Sequence, residues 1–280
     1  MQRKDKIQVI MKSITLNGND LTIEDVCKVA EENIPVELSS EKSFLETLKK
    51  SREFLLDYIS KGLPTYGVTT GFGDSCDNQI SPEKAAALQH AIVSYHGIGL
   101  GPVFSHQTGR AVVLCRLNSN VKGGYSAIRT ELARMMESLL NKDIIPVIPE
   151  LGSVGASGDL TPLSYLGAVM YGERKVYYKG KIVPTMEAFK AEGLSPLPLE
   201  AKEGLAVMNG TSVMTAVAAL SWKKAERLAN ISDFLTAAAS EILRGKDVPF
   251  RAGKPLCENE RLCSFVSIIC FLRHFVKGQC

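Results

Sequence analysis

Apolar residues in this chain return mostly at helical spacing. Between Ser39 and Ile59, Phe44, Leu45, Leu48, Leu55, Tyr58 and Ile59 recur every three or four positions with Lys and Glu between them. That pattern predicts an amphipathic helix, ended by Gly62 and Pro64. Ser81 is a good N-cap and Pro82 suits a first helical position, so AAALQHAIVSY reads as a helix that stops at Gly97. Gly123-Gly124 separates another helix from TELARMMESLLNK. The longest element runs from near Thr211 to about Arg244 without an internal Pro or Gly. At 1.5 Å per residue it would be roughly 50 Å long, a length common in helical bundles.

Strand signals are few and short, and all precede the longest helix. Ser13–Leu16 alternates, Asn17-Gly18 is a tight-turn pair, and the chain resumes at Leu21, which predicts strand-turn-strand. Thr22 is placed to cap IEDVCKVA. KVYYKGKIV reads as a hairpin turning at Lys179-Gly180, and Pro146 to Gly158 reads as loop. The expected class is mainly α with a few short strands.

Composition narrows the function classes. The 280 residues are 45% apolar and 22% charged, which is ordinary for a globular chain and excludes disorder. A net charge of +3 is too near balance to argue for nucleic acid or an anionic membrane as partner. MQRKDKIQVIMKS has no long apolar stretch, and the uncharged run Ala85–Gly109 is broken by Gln, His and Pro. A soluble cytoplasmic protein without a membrane span is therefore expected. Seven cysteines without a CxxC pair suggest reduced thiols, and no His, Cys or carboxylate spacing suggests a metal.

The richest segment for chemistry is GSVGASGDL, from Gly152 to Leu160. It lacks the spacing of a phosphate loop and that of a nucleophile elbow. One reading is a loop followed by a helix capped by Ser157 or Asp159. The other is a self-made electrophile: in a tightly held Ala156-Ser157-Gly158, the Gly158 amide nitrogen attacks the Ala156 carbonyl carbon. Loss of two waters then leaves a conjugated ring with an exocyclic methylene, a centre that none of the twenty side chains supplies.

GSVGASGDLTPLSYL resembles the signature of the aromatic amino acid ammonia-lyase and aminomutase family, which acts on histidine, phenylalanine and tyrosine. Three further stretches match in order: YGVTTGFG from Tyr66 to Gly73, LNSNVKGGYSAIR with Arg116, Asn118, Gly124 and Ser126 around it, and EGLAVMNGTSVMTA from Glu203 to Ala216. The resemblance spans roughly residues 13 to 245.

It implies a methylidene-imidazolone formed autocatalytically from Ala156, Ser157 and Gly158, with no external cofactor and no metal. Tyr66 matches the base that removes the proton from the carbon β to the carboxylate, aided by amides around Thr69–Gly73. An ordinary tyrosine is a poor base at neutral pH without such help. Asn209 matches a residue beside the ring that helps substrate bind, and Asp159 a residue assisting ring closure. Gly73, Tyr95 and His96 are expected at the substrate. The Tyr95-His96 pair carries a polar ring partner, which favours tyrosine or histidine over phenylalanine. Tyr165 stands where many relatives have His. Plain structural readings remain beside these: Asn209 as a turn, Asp159 as an N-cap, His96 as a residue at a helix end.

The implied architecture is an N-terminal mixed domain over 1–208 that carries the prosthetic-group loop. The first long helix of an ammonia-lyase/fumarase-like bundle follows over 209–245, then a divergent tail over 246–280. Family members run to about twice this length and form homotetramers, so a truncated chain of weak activity is expected. Lyase, 2,3-aminomutase and inactive fragment stay open as alternatives.

Overall fold

The Asn17-Gly18 pair turns the chain, but not into a hairpin. In the computed structural model, which describes residues 13–81, 84–155 and 158–245, strand β1 (Ile14–Leu16) leads into helix α1 (Ile23–Glu31). Strand β2 (Val36–Leu38) then returns parallel to β1, with Ile14 opposite Val36 and Leu16 opposite Leu38. The predicted strand-turn-strand is thus corrected to β-α-β. The Asn17 side chain explains why: its Oδ1 accepts from the amides of Asn19 (2.8 Å) and Asp20 (3.3 Å), an Asx turn that aims the chain into a helix. Thr22 and Asp25 then form a reciprocal capping box that launches α1.

Helix α2 (Lys42–Ser60) ends as expected, with Gly62 at φ +67° just beyond it. Helix α3 is described from Ala85 to Tyr95, and Pro82 lies outside the described residues. Next come β3 (Leu100–Val103), α4 (His106–Val121), α5 (Thr130–Asn141) and β4 (Ile145–Pro146). The segment read as loop contains β5 (Pro149–Leu151), antiparallel to β3. Helix α6 (Leu160–Met170) leads to the hairpin β6 (Lys175–Tyr178) and β7 (Lys181–Pro184). Lys179 and Gly180 turn it with φ of +47° and +76°, the left-handed pair that a tight hairpin turn requires. β4 pairs on the other edge of β6. Helices α7 (Thr185–Glu192), α8 (Glu203–Met208) and α9 (Ser212–Ile242) complete the described chain.

The chain divides into two compact units, Met1–Leu220 and Ser221–Cys280. The core of the first is built on α4 and α6, whose apolar residues are buried all round rather than along one stripe: Ala111–Leu114, Leu117 and Val121 on one, Leu163, Leu166, Val169 and Met170 on the other. Each such side chain removed from water contributes about 2 kcal/mol. Among the described cysteines Cys27 and Cys115 are buried and Cys76 is exposed, none in a disulfide, and burial pushes the Cys115 thiol up to about 12. In the second unit the described residues continue α9, with Lys223 paired to Glu226 at 2.7 Å. The helical stretch Glu203–Ile242 is long and apolar enough to cross a membrane by length and composition alone, and half of its most apolar window is buried inside the protein, as in a core helix.

Candidate functional site

Tyr66 stands on a turn between α2 and α3, half-exposed at 53%. The turn is held by its threonines: Thr69 Oγ1 accepts from the Thr65 amide at 2.8 Å, and Thr70 Oγ1 accepts from the Gly67 amide at 3.1 Å. Gly67 has φ +67°, and a Cβ there would lie 2.6 Å from the Phe72 ring, so the turn closes only around glycine. Phe72 in return meets the Tyr66 ring edge-on at 6.3 Å. The Gly73 amide donates to Tyr66 Oη at 2.9 Å, so two residues placed at the site by sequence touch each other.

A second group forms where the Gly152–Leu160 loop meets the start of α9. Ala156 and Ser157 lie outside the described residues. Gly158 has φ +112°, and a Cβ there would fall 2.7 Å from the Gly210 nitrogen and 2.8 Å from its oxygen. The Asp159 amide donates to the Gly210 carbonyl at 2.7 Å. The loop glycine is therefore pressed, backbone to backbone, onto the turn after Asn209.

Asp159 occupies the first cap position of α6 but makes no side-chain bond to that helix. This corrects the N-cap reading. Its carboxylate instead accepts from the amides of Val213 and Met214, both at 3.0 Å, and from Ser153 Oγ at 2.9 Å. It caps α9 from across the chain, where exposed amides and the helix dipole favour a negative charge. Arg116, buried in α4, donates to the Asn209 carbonyl at 2.8 Å and to the Ala206 carbonyl. Burial lowers its pKa to about 10, against the opposing pull of Asp159. It fits under Gly210 so closely that a Cβ there would lie 1.9 Å from its Nη1.

Asn209 itself ends α8, whose first residue, Glu203, is fully buried. Arg129 clamps Glu203 through Nη2 at 2.7 Å and Nε at 3.0 Å, and the Arg129 and Glu200 amides donate to it at 2.9 and 2.8 Å. Burial alone raises the Glu203 pKa; the Arg129 bonds and the two amides outweigh it and leave a net lowering. Arg52, also buried, ties Glu200 at 2.6 Å. Sequence reading missed this support. Glu203 was visible only as the first letter of one motif and Arg129 only as the last letter of another, LNSNVKGGYSAIR, with nothing to pair them.

Tyr95 and His96 lie together at the C-terminal end of α3, the first 78% exposed, with ring centroids 5.0 Å apart. His96 Nδ1 donates to the Ile92 carbonyl at 2.9 Å. A carbonyl only accepts, so Nδ1 carries the proton and the neutral ring offers Nε2 as an acceptor. Tyr165 packs behind the turn that follows. Its ring lies 4.4 Å under the Arg174 guanidinium, which donates to the Gly97 carbonyl at 3.0 Å. The departure at Tyr165 thus faces the backbone after His96. A cavity of about 360 Å³ opens elsewhere in this unit, between Cys115, Asn118, Lys122 and Thr215, and no sequence-derived site residue lines it.

These motifs agree with known proteins. Residues 21–254 match the family model described as aromatic amino acid lyase. Histidine ammonia-lyase of Streptococcus pyogenes serotype M1 is 42% identical over 237 residues, covering 85% of this chain and 46% of that protein. The tyrosine aminomutase of Streptomyces globisporus superposes with a TM-score of 0.86 at 35% identity, over 92% of this chain and 48% of that one. Histidine ammonia-lyase of Trypanosoma cruzi follows at 0.78 and 28%, over 86% of this chain and 46% of that one. The chain spans about half the length of the relatives it matches. With four motifs in order, a mainly helical fold shared with lyases and aminomutases, and a family match over most of its length, the chain belongs to the aromatic amino acid lyase family.

Proposed function

We propose that this chain carries the N-terminal part of an active site that removes ammonia from an aromatic L-amino acid to give an α,β-unsaturated acid. Histidine and tyrosine are favoured over phenylalanine. The observation that carries the proposal is the packing of Gly158 onto the Asn209-Gly210 turn, where no Cβ fits. A bare Gly158 leaves its amide nitrogen open to the Ala156 carbonyl carbon, so the residues present fit a methylidene-imidazolone. When formed, that group supplies an electrophilic methylene without external cofactor or metal.

The chain's own side chains take the remaining roles. Tyr66 Oη receives the proton from the carbon β to the carboxylate, and the Gly73 N–H holds that oxygen in place. Asn209, fixed through its backbone by Arg116, orients the substrate beside the tripeptide. Asp159 locks the tripeptide loop to α9 through bonds to two helix amides. His96 offers Nε2 to a phenol O–H or an imidazole N–H, a donor that phenylalanine lacks. The histidine ammonia-lyase relatives, at 42% identity, make histidine the first substrate to test.

Two other readings keep specific support. The superposition on a tyrosine aminomutase favours return of ammonia to the β-carbon. The exposed Trp222, Leu228, Phe234 and Leu235 on α9 suit assembly with further copies in a homo-oligomer, without which the chain would act only as a fragment.

Intact mass of the purified chain, with a panel of histidine, tyrosine and phenylalanine, tests the proposal. We expect the loss of two waters, abolished by Ser157→Ala, and an aryl acrylate from histidine or tyrosine. An unmodified mass overturns it; a β-amino acid product assigns the mutase.

A further inference from the structure

The segments carrying Tyr66, His96 and Asn209 meet at one side chain. Gln89 lies in the middle of α3, is fully buried, and is a polar residue in the apolar run AAALQHAIV. Its Oε1 accepts from the Gly204 amide at 3.0 Å and the Leu205 amide at 3.3 Å, in the first turn of the helix that ends at Asn209. Its Nε2 donates to the Gly67 carbonyl at 3.4 Å, one residue beyond Tyr66, and to the Ala85 carbonyl of its own helix at 3.2 Å. These partners fix the orientation of the amide, since two N–H groups need the oxygen and two carbonyls need the nitrogen. The neighbouring backbone is cut to fit. A Cβ at Gly204 would lie 3.0 Å from Gln89 Oε1, and one at Gly67 would lie 3.0 Å from Leu205 Cδ2.

We propose that Gln89 is the positioning residue that holds the Tyr66 turn and α8, the helix that ends at Asn209, in a single register. This deepens the reading above and rests on it only for the roles of Tyr66 and Asn209. A carboxamide is the one group of this size that is both donor and acceptor at fixed spacing at every pH. A thioether of the same length fills the volume and makes neither set of bonds. A carboxylate keeps the bonds to α8 and turns an oxygen on the Gly67 carbonyl, until protonation restores a donor.

The full chain, labelled with 3-fluorotyrosine, tests this without turnover. The Tyr66 fluorine resonance is identified by its loss in Tyr66→Phe, and amide exchange is followed at Gly204 and Leu205 in the same samples. Gln89→Met should speed exchange at both amides about tenfold and shift the Tyr66 resonance, the signature of about one lost hydrogen bond at each end. Gln89→Glu should keep exchange slow, shift the resonance at about pH 8, and bring it back near about pH 5, where the acid is protonated. The wild-type chain at both pH values controls for His90 and His96 on α3, Glu203 with Arg129 beside α8, Asp159 and Tyr165 of α6, and Asp74 and Asp77 in the Tyr66 loop. An unmoved Tyr66 resonance in Gln89→Met, or no return at low pH in Gln89→Glu, overturns the proposal. Should Gln89→Met fail to fold, the pH comparison in Gln89→Glu decides alone. An unmodified intact mass in the wild type would defeat the ammonia-elimination reading and leave these shifts as they are.

Discussion

The Tyr66 turn and the junction of Gly158, Asp159 and Asn209 are held in opposite ways. Tyr66 projects half-exposed from a glycine-rich turn stitched by threonine hydroxyls and backbone amides. The junction is buried and charged, with Asp159 on helix amides, Arg116 on carbonyls, and Glu203 under Arg129. Under the proposed function Tyr66 accepts a proton from a mobile substrate, and a group that must be reached belongs on a rim. A strained backbone pressed against another backbone needs stiff walls, and in a low-dielectric interior charge-assisted hydrogen bonds provide them. Removing one side chain should therefore cost stability at the junction and little at the turn.

The largest effect expected is at Glu203→Ala, which strands part of the Arg129 guanidinium and two amides and should destabilise the first unit by about 4 kcal/mol in urea unfolding. The same group predicts an acid limb. Its pKa is held below the ordinary carboxylate range, so its stabilisation is complete above that range and is lost as pH falls through the folded value. The urea midpoint should fall on acidification less steeply in Glu203→Gln than in the wild type. Gly158→Ala puts a methyl into the Gly210 backbone at positive φ and should cost about 2–3 kcal/mol. Asp159→Ala removes the borrowed cap of α9 and should cost about 2 kcal/mol, with faster exchange at Val213 and Met214. The smallest effect belongs to Tyr66→Phe, which loses only the bond from Gly73 and should cost less than about 1 kcal/mol. A Tyr66→Phe cost as large as that of Glu203→Ala would erase the contrast between the two regions.

Much of the fold was legible residue by residue. The α1 capping box, the α2 stop at Gly62, the Lys179-Gly180 hairpin and the span of α9 follow from local chemistry, and each was readable as such. The first two strands were not. Asn17-Gly18 serves a hairpin and an Asx turn equally well, and only the distant strand Val36–Leu38 decides between them. At the candidate site, Tyr66, Gly158 and Asn209 stood in motifs that gave them roles, whereas Gln89, in the stretch that leads to Tyr95-His96, and Arg129, at the end of LNSNVKGGYSAIR, were given none. A single Gln in an apolar helix and a single Arg before a helix look ordinary until Gly204 and Glu203, 115 and 74 residues further along the chain, are in place.

The sequence alone settled the Thr22 cap of α1, the stop of α2 at Gly62, the Lys179-Gly180 turn, and which family the motifs belong to. These depend on interactions within a few residues or on ordered short patterns. Tertiary structure decided that β1 pairs with β2 in parallel, that Asp159 caps α9 rather than its own helix, and that Gln89 ties α3 to α8 and the Tyr66 turn. Each of those is a choice among polar partners far apart in the chain, and a hydrogen bond selects its partner by three-dimensional geometry that no local pattern encodes.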